Sequence, residues 1–254
     1  MKVAIAGAGG RMGRTLIEAV LADRGLTLAA AFDVPGSPAI GQRVGNTEIV
    51  SDPKSAEQAD VVIDFTRPEG TLAHLARARA MVIGTTGFSD SQRNAILEKA
   101  KSIPIAMAAN FAVGVNALYR LAETAAKILG EGYDVEIIEA HHRHKVDAPS
   151  GTALRLGEVV AKALNRKLSE VARHGREGET GERPARQIGF HAIRGGDIVG
   201  EHTVVFAGLG ERVELTVRSQ SRMTYALGAL RAAKYLKGRA PGLYDMTDVL
   251  GLSV

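Results

Sequence analysis

The feature that most limits how this chain can fold is a glycine-rich turn wedged between a buried strand and a helix at its start. Val3–Ala6 is a continuous apolar run, Gly7-Ala8-Gly9-Gly10-Arg11-Met12-Gly13 follows at once, and Met12–Leu21 is apolar at 12, 16, 17, 20 and 21. That spacing is a helical period. The alternation then repeats, with strands expected at Leu26–Phe32, Val61–Phe65, Met81–Ile83 and Ile103–Met107 and a helix at Ser89–Lys101. A further helix is expected to open at Pro68, with Thr66 as its cap. Apolar strands without polar alternation, separated by amphipathic stretches, predict an α/β domain with a parallel sheet covered on both faces.

Glycines between such a strand and helix let the backbone approach a pyrophosphate, while the helix N-terminus supplies free amides and a positive dipole end. Met12 stands where the third glycine of a plain GxGxxG motif would fall, so the triplet is read as Gly7, Gly10 and Gly13. Asp33 ends the second strand at the distance beyond Gly13 where a ribose-binding acid falls. Its charge would repel a 2′-phosphate and favours NADH. Arg11 in the turn could pair with such a phosphate, and Val34 offers no positive charge, so NADPH stays open. Gly84-Thr85-Thr86-Gly87 and Ala108-Ala109-Asn110-Phe111 end the fourth and fifth strands. Ligands of open α/β sheets bind beyond the carboxyl ends of the strands, which makes both segments candidates to hold the nicotinamide half. The plainer readings are a glycine turn and an asparagine helix cap.

The pattern changes after about residue 112. Helices are expected at Val113–Leu129, Thr152–Leu164 and Met223–Leu236, and strands at Asp134–Ala140, Ile188–Ile193, Glu201–Phe206 and Glu211–Val217. The last two strands are joined through Gly208-Leu209-Gly210 as a hairpin. This half reads as α+β with a mixed or antiparallel sheet. The polar stretch 173–187 is long for a connection and is expected to be a mobile, functional loop.

Composition narrows the chemistry. With 45% hydrophobic residues and a net charge of +4 over 254 residues, the chain is not disordered. No apolar run reaches the length of a membrane span. The N-terminus enters a strand with no room for a signal peptide, so a cytoplasmic protein is expected. There is no cysteine, which removes thiolate metal sites and cysteine nucleophiles. An aspartate-semialdehyde dehydrogenase, a nicotinamide enzyme of related architecture, needs that nucleophile and is excluded. Five of the seven histidines fall in 141–194, beside eleven Lys/Arg and six Asp/Glu. With only 4% aromatic residues, this patch suits a small polyanion better than nucleic acid, and no nucleic-acid partner is expected.

The densest chemistry lies in Glu136–Ala153, where His141, His142, Arg143, His144 and Lys145 stand together and Pro149-Ser150-Gly151-Thr152 opens a helix. Hydroxyls and free amides at a positive dipole end form a carboxylate cradle. Nearby His and Lys can pair with the anion and donate protons. A strand running into a basic loop fits zinc poorly, so no metal is expected. A solvated basic loop is the plainest alternative.

These segments, with Asp-Phe-Thr-Arg-Pro-Glu-Gly at 64–70, Gly-Arg-Glu-Gly and Thr-Gly-Glu-Arg within 175–183 and Gly-Asp-Ile-Val-Gly-Glu-His at 196–202, resemble the 4-hydroxy-tetrahydrodipicolinate reductase family along essentially the whole chain. The resemblance implies a Rossmann-type cofactor domain formed by 1–112 and 223–254, with a substrate-binding and tetramerisation domain, 113–222, inserted in it. It implies a small dicarboxylate substrate, NADH or NADPH as cofactor, and a homotetramer. By position, His141 matches the family's acid/base, Lys145 its proton donor and His142 a substrate contact. Gly151 and Thr152, with Ser150 beside them, match its carboxylate-binding residues. Gly7, Ala8, Gly9, Gly10, Arg11, Met12, Asp33, Gly84, Thr85, Thr86, Ala108, Ala109, Asn110 and Phe111 match its cofactor contacts. Val34 stands where members often carry arginine.

Overall fold

The computed structural model describes residues 1–252. Its first stretch runs β1 (Lys2–Ala6), α1 (Arg11–Ala22), β2 (Thr27–Phe32), β3 (Arg43–Val44), β4 (Thr47–Val50), β5 (Val61–Asp64), α2 (Pro68–Leu75), β6 (Met81–Ile83), α3 (Asp90–Ala100) and β7 (Pro104–Met107). The middle holds α4 (Val113–Leu129), β8 (Asp134–His141), α5 (Gly151–Ala163), α6 (Leu168–Val171), β9 (Ala172–His174), β10 (Ile188–Arg194), β11 (Gly200–Ala207) and β12 (Arg212–Ser219). The chain ends with α7 (Met223–Leu236), β13 (Gly242–Tyr244) and α8 (Met246–Leu250). Two units result: Met1–Val113 together with the chain from Arg222 onward, and Gly114–Ser221.

The first unit is built on an eight-stranded sheet in the order β13-β7-β6-β5-β1-β2-β4-β3. Every neighbouring pair is parallel except β3 with β4. Strand order reverses at β1, which lies between β2 and β5, and such a reversal opens a crevice at the carboxyl ends of the strands. Each face has its own core. Leu16 and Val20 of α1 pack with Ala229, Leu230 and Ala233 of α7 on one side. Leu75 of α2 and Ile96 of α3 pack over Val62, Met81 and Ile83 on the other. Strands β3, β4 and β13 lack the continuous apolar run that marks β5 and β6, and the sequence does not predict them. Thr66 does not cap α2 as expected. The N-cap is Arg67 without a side-chain bond, because the Thr66 hydroxyl donates to Asp64 at 2.6 Å instead.

The second unit carries a mixed five-stranded sheet, β12-β11-β8-β10-β9, in which β8, β10 and β9 run parallel and β11 and β12 antiparallel. Strand alternation sorts its residues. Val135 and Ile137 of β8, Phe190 of β10 and Val204 and Phe206 of β11 meet Leu118 and Ala122 of α4 and Leu156 and Val160 of α5 in a buried core. At the carboxyl end of β8 the same face continues as Glu139 and His141, with His202 of β11 paired opposite Glu139. The opposite face carries Glu136, Ile138, His191, Ile193, Thr203, Val205 and Thr216, and among the described residues no helix covers it. The 173–187 stretch, expected to be mobile, begins inside β9 and is tied down. Arg176 donates twice to Glu136, and Arg183 donates to Glu136, Asp134 and the carbonyls of Val135 and Gln187.

Candidate active site

In the first unit the glycine turn closes over the reversal point of the sheet. Gly7 adopts φ +67°, a left-handed conformation that disfavours any side chain. A Cβ at Gly13 would run into the Gly7 carbonyl, so α1 can start against the turn only with glycine there. Gly10 caps α1 without any side-chain bond, which leaves its first-turn amides open for an anion. Asp33 reaches the turn: its Oδ2 accepts the Gly9 amide at 2.7 Å and its Oδ1 the Val34 amide at 2.8 Å. A Cβ on Gly9 would sit 2.7 Å from that same Oδ2. This tight glycine cradle with an acid at the end of β2 fits a dinucleotide.

The other predicted cofactor residues divide into frame and surface. The Ala8 methyl lies in the core and its amide donates to the Phe32 carbonyl at 3.1 Å, so it shapes the turn. Arg11 is exposed and Met12 half-buried. Thr85 is buried and points inward to Asp64 and Thr71, whereas Thr86 is exposed. Gly84 is required because a Cβ would strike the Phe65 ring. Phe111 is buried, its ring centroid 5.5 Å from that of Phe65, and Asn110 Oδ1 accepts the Ala112 amide at the entry to α4. Thr85, Thr86, Ala108 and Ala109 line a cavity of about 440 Å³ that also meets Tyr244 and Asp245.

In the second unit the predicted acid/base is anchored by a residue that carried no role in the sequence reading. Glu139, 1% exposed, receives His141 Nδ1 at 2.6 Å, both terminal nitrogens of Arg194 at 2.7 Å and the Ser150 amide at 3.1 Å. Ser150 caps α5 by accepting the Ala153 amide, and its hydroxyl also meets His202 Nε2 at 3.0 Å. One carboxylate thus locks His141 and the helix N-terminus together. Gly151 is exposed with open space around it, and Thr152 bonds Tyr119. Lys145 is held by Asp147, at 2.7 and 2.8 Å to its two oxygens. His142 is half-buried, its ring 6.2 Å from that of His144. Among the described residues, no three His, Asp or Glu side chains converge to hold a metal ion.

The electrostatics follow from this packing. Burial holds His141 below the ordinary histidine value, aided by Lys145 and Arg194 and opposed by the bonded Glu139. Burial and the neighbouring His141 push His202 down to about 4. Burial alone would raise Glu139, but Arg194 and His141 outweigh it and keep the carboxyl below its usual range. The site therefore offers a poised neutral imidazole, a firm carboxylate behind it and an open anion cradle. Glu139 could have been suspected in the sequence from its place two residues before His141, on the same strand face. His202 and Arg194 could not, because only the register of β11 and β10 brings them to it.

Comparison with known proteins identifies the family. Residues 1–111 match the family described as "Dihydrodipicolinate reductase, N-terminus" and residues 114–250 the one described as "Dihydrodipicolinate reductase, C-terminus". A 4-hydroxy-tetrahydrodipicolinate reductase of Aromatoleum aromaticum is 62% identical, over 99% of this chain and 96% of its own length. One from Cupriavidus metallidurans is 59% identical, over 99% and 100%. Among solved structures, a dipicolinate-bound dihydrodipicolinate reductase from Paenisporosarcina sp. TG-14 superposes with a TM-score of 0.79 at 26% identity, covering 98% of each chain. A probable dehydrogenase from Thermotoga maritima shares the fold, with a TM-score of 0.62 at 12% identity and cover of 98% and 92%. With both of its halves matched and near-complete relatives at this identity, the chain belongs to the dihydrodipicolinate reductase family.

Proposed function

We propose that the chain catalyses the NAD(P)H-dependent reduction of 4-hydroxy-tetrahydrodipicolinate to tetrahydrodipicolinate, a step of diaminopimelate and lysine biosynthesis, with His141 and Lys145 handling the proton. In the net reaction the substrate takes up one hydride and one proton and loses one water. The observation that carries this reading is the Glu139-anchored His141 beside the capped, open N-terminus of α5. Bound NAD(P)H supplies the hydride from its nicotinamide. Gly7, Gly9, Gly10, Arg11 and Met12 would hold its pyrophosphate, and Asp33 its adenosine ribose. Thr86, Ala108, Ala109 and Asn110 would border the nicotinamide half, with Ala8, Gly84, Thr85 and Phe111 as the frame behind them.

On the substrate side, Gly151 and Thr152 at the positive end of α5 would bind one carboxylate, with the Ser150 side chain beside them and His142 as a further contact. Glu139 fixes the His141 proton on Nδ1 and leaves Nε2 to face the substrate. When two carboxylates enter this basic pocket they raise the pKa of His141, which then protonates the ring nitrogen as negative charge develops there. Lys145, released from Asp147 toward the substrate, supplies the second positive charge. A planar dicarboxylate such as dipicolinate would compete for the same cradle.

The protein is also proposed to act as a cytoplasmic homotetramer. Among the described residues no helix covers one face of its second sheet and β12 is an open edge, and both need another surface against them. The decisive experiment compares oxidation of NADH and NADPH, side by side, with enzymatically generated substrate. Turnover with at least one is expected, and no turnover with either would overturn the reading. His141→Gln should lower kcat by about 10²–10⁴-fold with cofactor affinity unchanged. Full turnover of that variant would remove His141 from the mechanism.

A further inference from the structure

Beneath the cofactor cradle lies a second buried carboxylate that the reaction does not use. Asp64, the last residue of β5 at the reversal point of the sheet, is 0% exposed. Burying an ionised carboxylate is costly unless it is paired and hydrogen-bonded. Its Oδ1 accepts the Thr66 amide at 2.8 Å and the hydroxyls of Thr66, Thr71 and Thr85 at 2.6, 3.2 and 3.3 Å. Its Oδ2 meets Nδ1 of His74, from α2, at 2.7 Å. Among the described residues, His74 is the only basic side chain in ion-pair range of Asp64.

Through its partners Asp64 reaches several cofactor-facing strand ends, with Thr71 and His74 supplied by α2. The Thr66 methyl group fills the space beneath Gly7, so it sets the floor of the turn after β1. Thr85 lies between Gly84 and Thr86 in the turn after β6 and is also bonded to Thr71 at 2.8 Å. The His74 ring stands edge-on to Phe32, with centroids 4.9 Å apart, one residue before Asp33. One carboxylate therefore touches, directly or through one side chain, the ends of β1, β2, β5 and β6. A purely structural role in this dry position would be served as well by apolar residues of similar volume.

We propose that Asp64 and His74 form a positioning pair, which holds these four strand ends in the register that NAD(P)H requires. The inference rests on the reading of this unit as the NAD(P)H site. Neither residue is assigned contact with the cofactor, so the effect should fall on cofactor affinity and spare the chemical step.

The test uses the full-length protein and direct calorimetric titration of NADH and NADPH beside steady-state kinetics. His74→Leu removes the donor to Oδ2, whereas His74→Asn keeps a donor at the place of Nδ1. His74→Leu should raise Kd and KM for the cofactor by about tenfold, with kcat at saturating cofactor within about twofold of wild type. His74→Asn should restore Kd to within about threefold. Asp64→Asn preserves volume and should match His74→Leu, and combining the two should add nothing further, as expected of one coupled unit. Asp64→Asn serves as the measurement if His74→Leu does not fold. Lower thermal stability with unchanged cofactor Kd would overturn the proposal, as would equal weakening by His74→Leu and His74→Asn. Failure of the unaltered protein to bind either nucleotide would instead overturn the cofactor reading, and the pair's role with it.

Discussion

Four hydrogen bonds converge on the two oxygens of Glu139, and His141 is the one partner able to change charge during a reaction. Removing the carboxylate charge while keeping its shape separates orientation from electrostatics. Glu139→Gln should lower kcat by about two orders of magnitude, because the imidazolium loses its counter-charge and the ring its fixed tautomer. The pH above which activity declines should also move lower, since Glu139 is what opposes the burial of His141. An unchanged pH profile would show the carboxylate to be scaffolding only. Burial leaves His141 neutral near pH 7 in the free protein, so binding of dipicolinate should draw one proton from solution. Titration in buffers of different ionisation enthalpy measures this: the apparent heat should vary with buffer near neutrality and stop varying at acid pH. A buffer-independent heat at neutrality would mean that His141 is already charged or never becomes so. Local chemistry made the candidates His141, Lys145 and Ser150 legible in the sequence. Glu139 is legible only as a neighbour on the strand face of His141, because a single acid in a strand does not itself reveal whether it faces water or a buried partner.

At the scale of elements, the segment between β9 and β10 shows how a charge decides order where apolar residues are scarce. Burial raises Glu136, but hydrogen bonds from Arg176, Arg183 and His191 prevail and bring it from 4.5 down to about 2. The carboxylate also fills the space above Gly189, where a Cβ would collide with it. A depressed folded-state pKa means that this contribution to stability is present above about pH 4.5 and is lost as pH falls toward 2. The 175–187 segment should therefore become sensitive to an acid-active protease within that window, ahead of the core. In Glu136→Gln it should be sensitive at neutral pH as well. Equal resistance of variant and parent at pH 7 would show that the arginines hold the segment without Glu136. The sequence shows a polar, arginine-rich stretch here and suggests mobility, because nothing local reveals that its arginines meet a carboxylate far earlier in the chain. Thr66 reads as a helix cap for a local reason: whether its hydroxyl meets Asp64, two residues before it, or the first turn of α2 depends on a backbone turn that the sequence does not specify. The strand–helix rhythm is legible because its helices repeat an apolar spacing and its central strands are apolar throughout, as in Met81–Ile83. Strands β3 and β13 instead mix in Arg43 and Gly242 and are only partly buried.

Across the whole molecule, the first unit is sewn shut by α7, where the chain returns to it. Ala226, Ala229, Leu230, Ala233 and Leu236 of α7 are buried against α1 and the sheet, and Gly228 lies so close to the Phe111 carbonyl that a Cβ would overlap it. Among the described residues, no helix closes the second unit's sheet on the face away from α4 and α5. Ile138, Val205 and Ile193 lie there, with Ile193 51% exposed, beside Thr203 and Thr216, whose hydroxyls bond across the strands at 2.9 Å. Its border, β12, has β11 as its one strand neighbour among the described residues, which leaves the other edge open. A long open edge beside a partly apolar face is an aggregation hazard unless another surface covers it. A second copy is the natural cover, because the arrangement is the same on every chain and symmetric pairing satisfies both at once. Sedimentation should then give a species with four times the mass of the 26.8 kDa chain. Thr203→Arg places a charge at the centre of this face without a carboxylate directly opposite, since Thr203 pairs with Ile138 and Thr216. Because side chains alternate along β11, residue 203 points away from His202 and the Glu139 cluster. The variant should shift to smaller species while still binding dipicolinate with parental affinity. A single 26.8 kDa chain at micromolar concentration in the unaltered protein, or a variant that stays tetrameric, would mean that this face is not what joins the copies.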